Sequence, residues 1–194
     1  MTLRLTIVST DITSSTCQII LVTGPSRSGK SEWAETLAKQ TGKLVTYVAT
    51  AKTDPNDLEW LSRIEKHQQR RPESWTTLFV PIDLAATIRQ YSDISCCLLV
   101  DSLGTWLANL LDQDSAVWES TVQELWDSLV QTAGTVIFVA EETGWGVVPA
   151  YPVGRLFRDR LGHLVRQLGI MANPVYLVTG GHVLNLTALG SPLP

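Results

Sequence analysis

Residues 19–31 read Ile19-Ile20-Leu21-Val22-Thr23-Gly24-Pro25-Ser26-Arg27-Ser28-Gly29-Lys30-Ser31. A short apolar run ends at Gly24, and Gly24 to Ser31 then satisfy G-x-x-x-x-G-K-[ST] at every fixed position. A helical pattern follows from Ser31 to Gln40. A chance glycine-rich turn would lack this strand-before, helix-after context. The glycines let the backbone curl so that successive N–H groups face the β- and γ-phosphates of a nucleotide, and the positive end of the following helix adds to them. Lys30 is placed to reach the β/γ oxygens and the Ser31 hydroxyl to ligate Mg²⁺. Gly24, Pro25, Ser26, Arg27, Ser28, Gly29, Lys30 and Ser31 are therefore expected to bind nucleotide, with Lys30 also catalytic.

Outward from this loop, apolar runs alternate with helical patterns. Leu44–Ala49, Cys96–Val100, Thr135–Ala140 and Val175–Thr179 are apolar without a polar face, as suits buried parallel strands. Between them, helical periodicity covers roughly Ala116 to Gln131 and the stripe Phe157, Leu161, Leu164, Leu168, which reads as core packing. Asp54-Pro55 offers an N-cap and a first-turn proline to a helix expected to run to about Arg71, before Pro72. The expectation is an α/β, P-loop NTPase-type three-layer fold with a mostly parallel central sheet. Residues 18–188 would form that one domain, preceded by an extension, 1–17, and followed by a short tail, 189–194.

The bulk composition narrows the functional classes. With 194 residues, 44% hydrophobic and 18% charged, the chain can bury a sizeable core. A formal net charge of −4 gives no support for a nucleic-acid surface. The cysteines Cys17, Cys96 and Cys97 are odd in number and form no Cys-x-x-Cys pair, which argues against a disulfide framework or a zinc site and for a reducing, cytoplasmic setting. No apolar run is long enough for a membrane span.

Beyond the loop, Asp101 ends a buried strand, where an acid would bind Mg²⁺ directly or through water; it also precedes the helical stretch Leu103–Leu111, so a helix cap is the other reading. Glu141 and Glu142 follow another buried strand and suit either a ligand contact or a solvated loop. On the helix after Asp54, Arg63, His67 and Arg70 share one face. A histidine between arginines is held neutral, as a nucleophilic nitrogen requires, although a lone histidine on a charged helix is ordinarily solvated surface.

The ordered set of motifs resembles the bifunctional adenosylcobinamide kinase / adenosylcobinamide-phosphate guanylyltransferase family. The loop has that family's Arg-Ser-Gly-Lys-Ser core. Tyr47-Val48-Ala49-Thr50-Ala51 is similar to its second strand and turn, and Arg63-Ile64, His67, Arg71-Pro72 and Trp75 reproduce R-I-x-x-H-x-x-x-R-P-x-x-W. Asp101, Trp106-Leu107, Asn109-Leu110-Leu111, Gly144, Gly146-Val147-Val148-Pro149, Arg155, Phe157-Arg158-Asp159 and Gly162 continue the match, which covers roughly Gln18 to Thr187. The chain departs from the pattern in having no acid in Trp75–Pro81, in Ala140-Glu141, and in Val165-Arg166.

The resemblance implies two reactions in one site. A nucleoside triphosphate, ATP or GTP, phosphorylates adenosylcobinamide; GTP then guanylylates a histidine, by position His67, and the GMP passes to adenosylcobinamide phosphate, giving adenosylcobinamide-GDP. It further implies that Gln68, Gln69, Arg70 and Arg71, together with Ala49, Thr50 and Ala51, line the nucleotide, with Mg²⁺ as cofactor, and that the chain assembles as a homo-oligomer, a trimer. Two other readings stay open at this point. One is a small-molecule kinase in which His67 is inert. The other is a GTP-binding switch, for which Asp101-Ser102-Leu103-Gly104 supplies D-x-x-G but no N-K-x-D segment exists to read guanine.

Overall fold

A computed structural model describes residues 17–52 and 70–193. The expected extension before Cys17, and the expected helix from Asp54 with Arg63, His67, Gln68 and Gln69, lie outside the described residues. Arg70 and Arg71 stand in a turn and a bend rather than in a helix; Pro72 disfavours helical backbone at the residue before it.

The described residues form a seven-stranded sheet in the order β3-β2-β4-β5-β1-β6-β7. The strands are β1 (Gln18–Gly24), β2 (Leu44–Ala49), β3 (Thr76–Phe79), β4 (Cys96–Asp101), β5 (Thr135–Glu141), β6 (Val175–Thr179) and β7 (His182–Asn185). All neighbours pair parallel except β6 with β7, which are antiparallel. The helices are α1 (Lys30–Gln40), α2 (Leu84–Gln90), α3 (Leu103–Asn109), α4 (Ser115–Val130), α5 (Pro152–Met171) and α6 (Leu186–Leu189).

Alternation along the strands divides two cores. Ile20, Val22, Val45, Tyr47, Cys97, Leu99, Ile137 and Val139 face α1 and pack on Ala34 and Ala38. Leu21, Val48, Leu98, Val100, Val136, Phe138 and Ala140 face the other way, against Leu103, Trp106 and Leu107 of α3, Leu125 and Leu129 of α4, and Leu161, Leu164 and Leu168 of α5. Both faces of the central strands are covered, so their continuous apolar runs follow from burial on two sides. The α5 stripe is core packing, with Leu161, Leu164 and Leu168 buried.

Local chemistry fixes the helix starts. Ser102 caps α3 in a capping box with Thr105. The Asp114 side chain accepts from Val117 N at 2.9 Å ahead of α4. Pro152 opens α5 at a position where its missing N–H costs nothing. The carboxyl ends of β1, β2, β4 and β5 lie side by side, with Gly24 opposite Glu141 and Ala49 opposite Asp101. In open α/β sheets this edge is where ligands gather.

Candidate active site

The turn from β1 into α1 is a built anion cradle. Arg27 and Gly29 hold φ of 60° and 93°, the left-handed region that curls the chain and that a non-glycine residue such as Arg27 seldom occupies. Ser28 N donates to Pro25 O at 3.3 Å, closing the turn. A Cβ on Gly24 would run into the Val178 carbonyl oxygen and stand 2.8 Å from Ser28 Oγ, so only glycine fits between β1 and β6 there. Ser28 Oγ is buried with no hydrogen-bond partner among the described residues. An orphaned hydroxyl in a glycine cradle is a donor waiting for an acceptor, and phosphate oxygens meet that need. Lys30 is 5% exposed, and its Nζ donates to Pro25 O at 3.3 Å, so the ammonium lies along the loop.

Two acids end the strands on one side of the cradle, Glu141 on the adjacent β5 and Asp101 on β4 beyond it. Asp101, at the end of β4, accepts at Oδ2 from Tyr47 OH at 2.7 Å. Burial, and then the Asp101 charge, push the Tyr47 phenol far above its ordinary range, so it serves as a fixed donor to that carboxylate. The cap of α3 is Ser102, one residue on, which leaves Asp101 at the sheet edge.

Glu141, at the end of β5, accepts from Gly104 N at 3.0 Å. Its carboxyl is raised above the usual range, first by burial; the Ser102 hydroxyl and then the Lys30 charge pull it back down, while Asp101 pushes it up. Glu142 ties the next turn to the cradle: its amide donates to Gly24 O at 3.0 Å, and Thr23 Oγ1 donates to its Oε1 at 2.8 Å.

A folded-state carboxyl pKa above the unfolded value means that the native state holds its proton more tightly. Stability then falls as pH rises from the unfolded pKa through the folded one. Glu141→Gln keeps an oxygen for the Gly104 amide and removes the charge. Its stability is expected to decline less steeply than wild type from pH 4 upward, as read by denaturant midpoints across pH. Parallel curves for the two proteins would show that Glu141 does not titrate in this way.

The remaining expected site residues fall into two groups. Ala49 ends β2 and Thr50 and Ala51 follow it, at the carboxyl edge of the sheet but with β4 and β5 between them and the cradle strand β1. The Thr50 hydroxyl is fully buried and engaged: it donates to Ser102 O at 2.7 Å, accepts from Ser102 N at 2.9 Å and meets Thr105 Oγ1 at 2.5 Å. It clamps the β4–α3 junction, and Asn109 Nδ2 holds the Thr50 carbonyl at 2.7 Å.

Arg70 donates to Glu32, and to Glu35 at 3.4 Å, both on the first turns of α1. Burial raises the Glu35 carboxyl, and the Arg70 charge opposes that rise. The Arg71 guanidinium lies 3.3 Å over the Tyr47 ring centroid, and its Nη1 donates to Thr77 Oγ1 at 3.4 Å. Arg70 and Arg71 thereby pin the end of the segment that carries His67 to α1, β2 and β3.

Tyr47, Glu35, Ser102 and Gly104 were not among the residues expected at the site. Their signals in the sequence were indirect: Tyr47 lies in the matched segment Tyr47–Ala51, Ser102 and Gly104 lie in the D-x-x-G stretch, and Glu35 carries none. A fit for Mg²⁺ follows from donor chemistry. Ser31 and Asp101 offer hard oxygen ligands, and no cluster of three or more acidic, histidine or cysteine side chains among the described residues could hold a metal alone.

Among solved structures, a prototypical ATPase from the type III secretion system of pathogenic bacteria aligns with a TM-score of 0.52 at 13% identity, covering 84% of this chain and 51% of that one, a likeness of fold. The chain is 39% identical over 174 residues to the "Bifunctional adenosylcobalamin biosynthesis protein CobP" of Pseudomonas aeruginosa, covering 89% of this chain and 98% of that protein. It is 34% identical over 177 residues to the "Bifunctional adenosylcobalamin biosynthesis protein CobU" of Escherichia coli, covering 84% and 96% respectively. A family model matches residues 20–186, from the strand that feeds the cradle to the last helix, and by that match the chain belongs to the CobU family, cobinamide kinase / cobinamide phosphate guanyltransferase.

Proposed function

We propose that this chain phosphorylates adenosylcobinamide and then guanylylates the product in cobalamin biosynthesis, both at the cradle of Gly24–Ser31. The observation that carries the reading is that cradle, with an orphaned hydroxyl and a buried ammonium, in a chain of this family. In the first reaction the acceptor's hydroxyl oxygen attacks the γ-phosphorus, its proton leaves, the bond to the bridging oxygen breaks and the nucleoside diphosphate departs. In the second, a His67 ring nitrogen attacks the α-phosphorus of GTP and pyrophosphate departs. A phosphate oxygen of the acceptor then displaces the imidazole, forming the new P–O–P link. Splitting the transfer through a covalent P–N bond gives two in-line displacements in place of one.

The loop amides, Ser28 Oγ and Lys30 take up charge on the departing polyphosphate. Mg²⁺, held by Ser31 and Asp101 with Tyr47 orienting the latter, would supply Lewis-acid neutralisation of the same oxygens. Arg70, three residues after His67 in the sequence, is anchored on Glu32 and Glu35 of α1. Gln68, Gln69 and Arg71 then follow along the nucleotide. Homo-oligomerisation, as a trimer, and a reducing, cytoplasmic setting are part of the same reading.

The test is incubation with α-labelled GTP and Mg²⁺. An acid-labile, base-stable protein label is expected in wild type and absent from His67→Ala, which should still phosphorylate adenosylcobinamide. A wild-type protein that turns over adenosylcobinamide without ever taking label would leave a kinase alone.

A further inference from the structure

Residues 144–156, Gly144-Trp145-Gly146-Val147-Val148-Pro149-Ala150-Tyr151-Pro152-Val153-Gly154-Arg155-Leu156, carry the chain from β5 into α5. They turn Trp145, Val147, Val148, Tyr151 and Val153 outward, with Val147 95% and Tyr151 77% exposed. Single exposed apolar residues are ordinary; a contiguous run of them marks a contact surface.

The run is held in shape. Arg155 Nη1 donates to the carbonyls of Pro149 at 2.9 Å and Ala150 at 2.7 Å. A Cβ on Gly154 would stand 2.9 Å from the Pro149 Cβ, so the first turn of α5 lies close on the loop. Pro149 and Pro152 restrict the backbone further. A surface ordered before it binds loses less entropy on binding.

Its start is placed near the cradle. Glu142 is bonded to Gly24 and Thr23, and Trp145 follows three residues later, at most about 11 Å of chain away. An acceptor whose hydroxyl must meet a phosphate in the cradle has to be gripped by surface next to it. The loop's chemistry then selects the kind of acceptor. Arg155 is the one charged residue in the stretch, and it is engaged with backbone carbonyls, so the loop offers no site for an anion. What it offers is an aromatic and aliphatic face, with the Trp145 indole N–H and the Tyr151 phenol as polar edges. That suits a large, flat, uncharged-edged macrocycle fringed with amides.

Resting on the function proposed above, we infer that residues 145–153 are the platform on which the corrin ring of the acceptor docks, leaving its hydroxyl-bearing arm free to reach the cradle.

The test titrates adenosylcobinamide into the full-length protein, following the corrin absorption band, with GTP affinity and molar mass by light scattering measured alongside. Val147→Asp/Val148→Asp is expected to weaken corrinoid binding by at least about tenfold, as loss of a central apolar contact does, with GTP affinity and molar mass held. Trp145→Ala, which adds no charge, is expected to weaken it in the same direction and decides the matter if the double variant fails to fold. Corrinoid binding equal to wild type in both variants overturns the platform and leaves the proposed function standing. A fall in molar mass with corrinoid affinity intact would make the loop a seam between copies and also overturn it. A wild-type protein that does not bind adenosylcobinamide at all would remove both.

Discussion

Gly24→Ala is expected to lower the melting temperature by roughly 2–12 °C and to abolish measurable GTP binding. The glycine closes β1 at the point where β6 comes nearest, and an added methyl would overlap the Val178 carbonyl oxygen. That atom is backbone. It cannot withdraw without loosening the β1–β6 pairs Leu21 with Val175, Val22 with Tyr176 and Thr23 with Leu177. Overpacking of this kind costs about 1–3 kcal/mol, and each kcal/mol moves the midpoint of a chain this size by roughly 2–4 °C.

The functional loss is larger than the stability loss, because the same methyl would crowd Ser28 Oγ at 2.8 Å, the orphaned hydroxyl of the cradle. Two controls separate the causes. Gly42→Ala meets nothing within 4 Å but holds φ of +64°, so it pays only for left-handed backbone, about 1–2 kcal/mol, and should bind GTP normally. Gly104→Ala meets the end of the Glu141 side chain, which can swing away, and should cost less stability than Gly24→Ala. Calorimetry and nucleotide titration check all three. A Gly24→Ala protein that melts and binds GTP like wild type would show that β6 does not pack on the cradle as described.

How far the sequence alone could lead depends on which physical constraint each element answers to. β1, β2, β4, β5 and β6 are legible because central parallel strands are covered on both faces and must be apolar throughout. β2 and β6 keep the bounds expected, and β4 and β5 run one residue longer, into Asp101 and Glu141. β3 and β7 were not legible. Each is a short edge strand of four residues, with exposed positions at its ends or along most of its length, so nothing forces a pattern on it. The cradle is legible because its backbone needs glycine at fixed spacing.

The supporting contacts are not legible, since they join residues far apart in the chain: Tyr47 to Asp101, Thr50 to Ser102, Arg70 to Glu35. Sequence treated Thr50 as lining the pocket. The geometry gives its hydroxyl a full set of partners inside the β4–α3 junction, and no local pattern could have told the two apart.

Lys30→Ala is expected to cut kcat/KM for both phosphoryl and guanylyl transfer by about 10³-fold, equivalent to about 4 kcal/mol of transition-state stabilisation. On the proposed function one ammonium serves both, since both reactions would expel a polyphosphate from the same cradle, along which Lys30 is buried. In that setting its charge is screened little by water, so its loss is not made good by solvent.

The substitution also acts on Glu141. Burial raises that carboxyl and the Lys30 charge holds it down; without Lys30 the folded-state pKa climbs further above the unfolded one. Across that widened window the native state binds more protons than the unfolded state, and stability falls as pH rises. Lys30→Ala should therefore fall increasingly below wild type in stability from about pH 4 to pH 8, and the added slope should vanish in Lys30→Ala/Glu141→Gln. A double-mutant cycle in denaturant midpoint at both pH values measures that coupling. Steady-state rates for the two reactions measure the catalytic part. If one reaction survived within tenfold of wild type while the other was lost, the two would not share a cradle, and a second phosphate site would have to exist elsewhere in the chain.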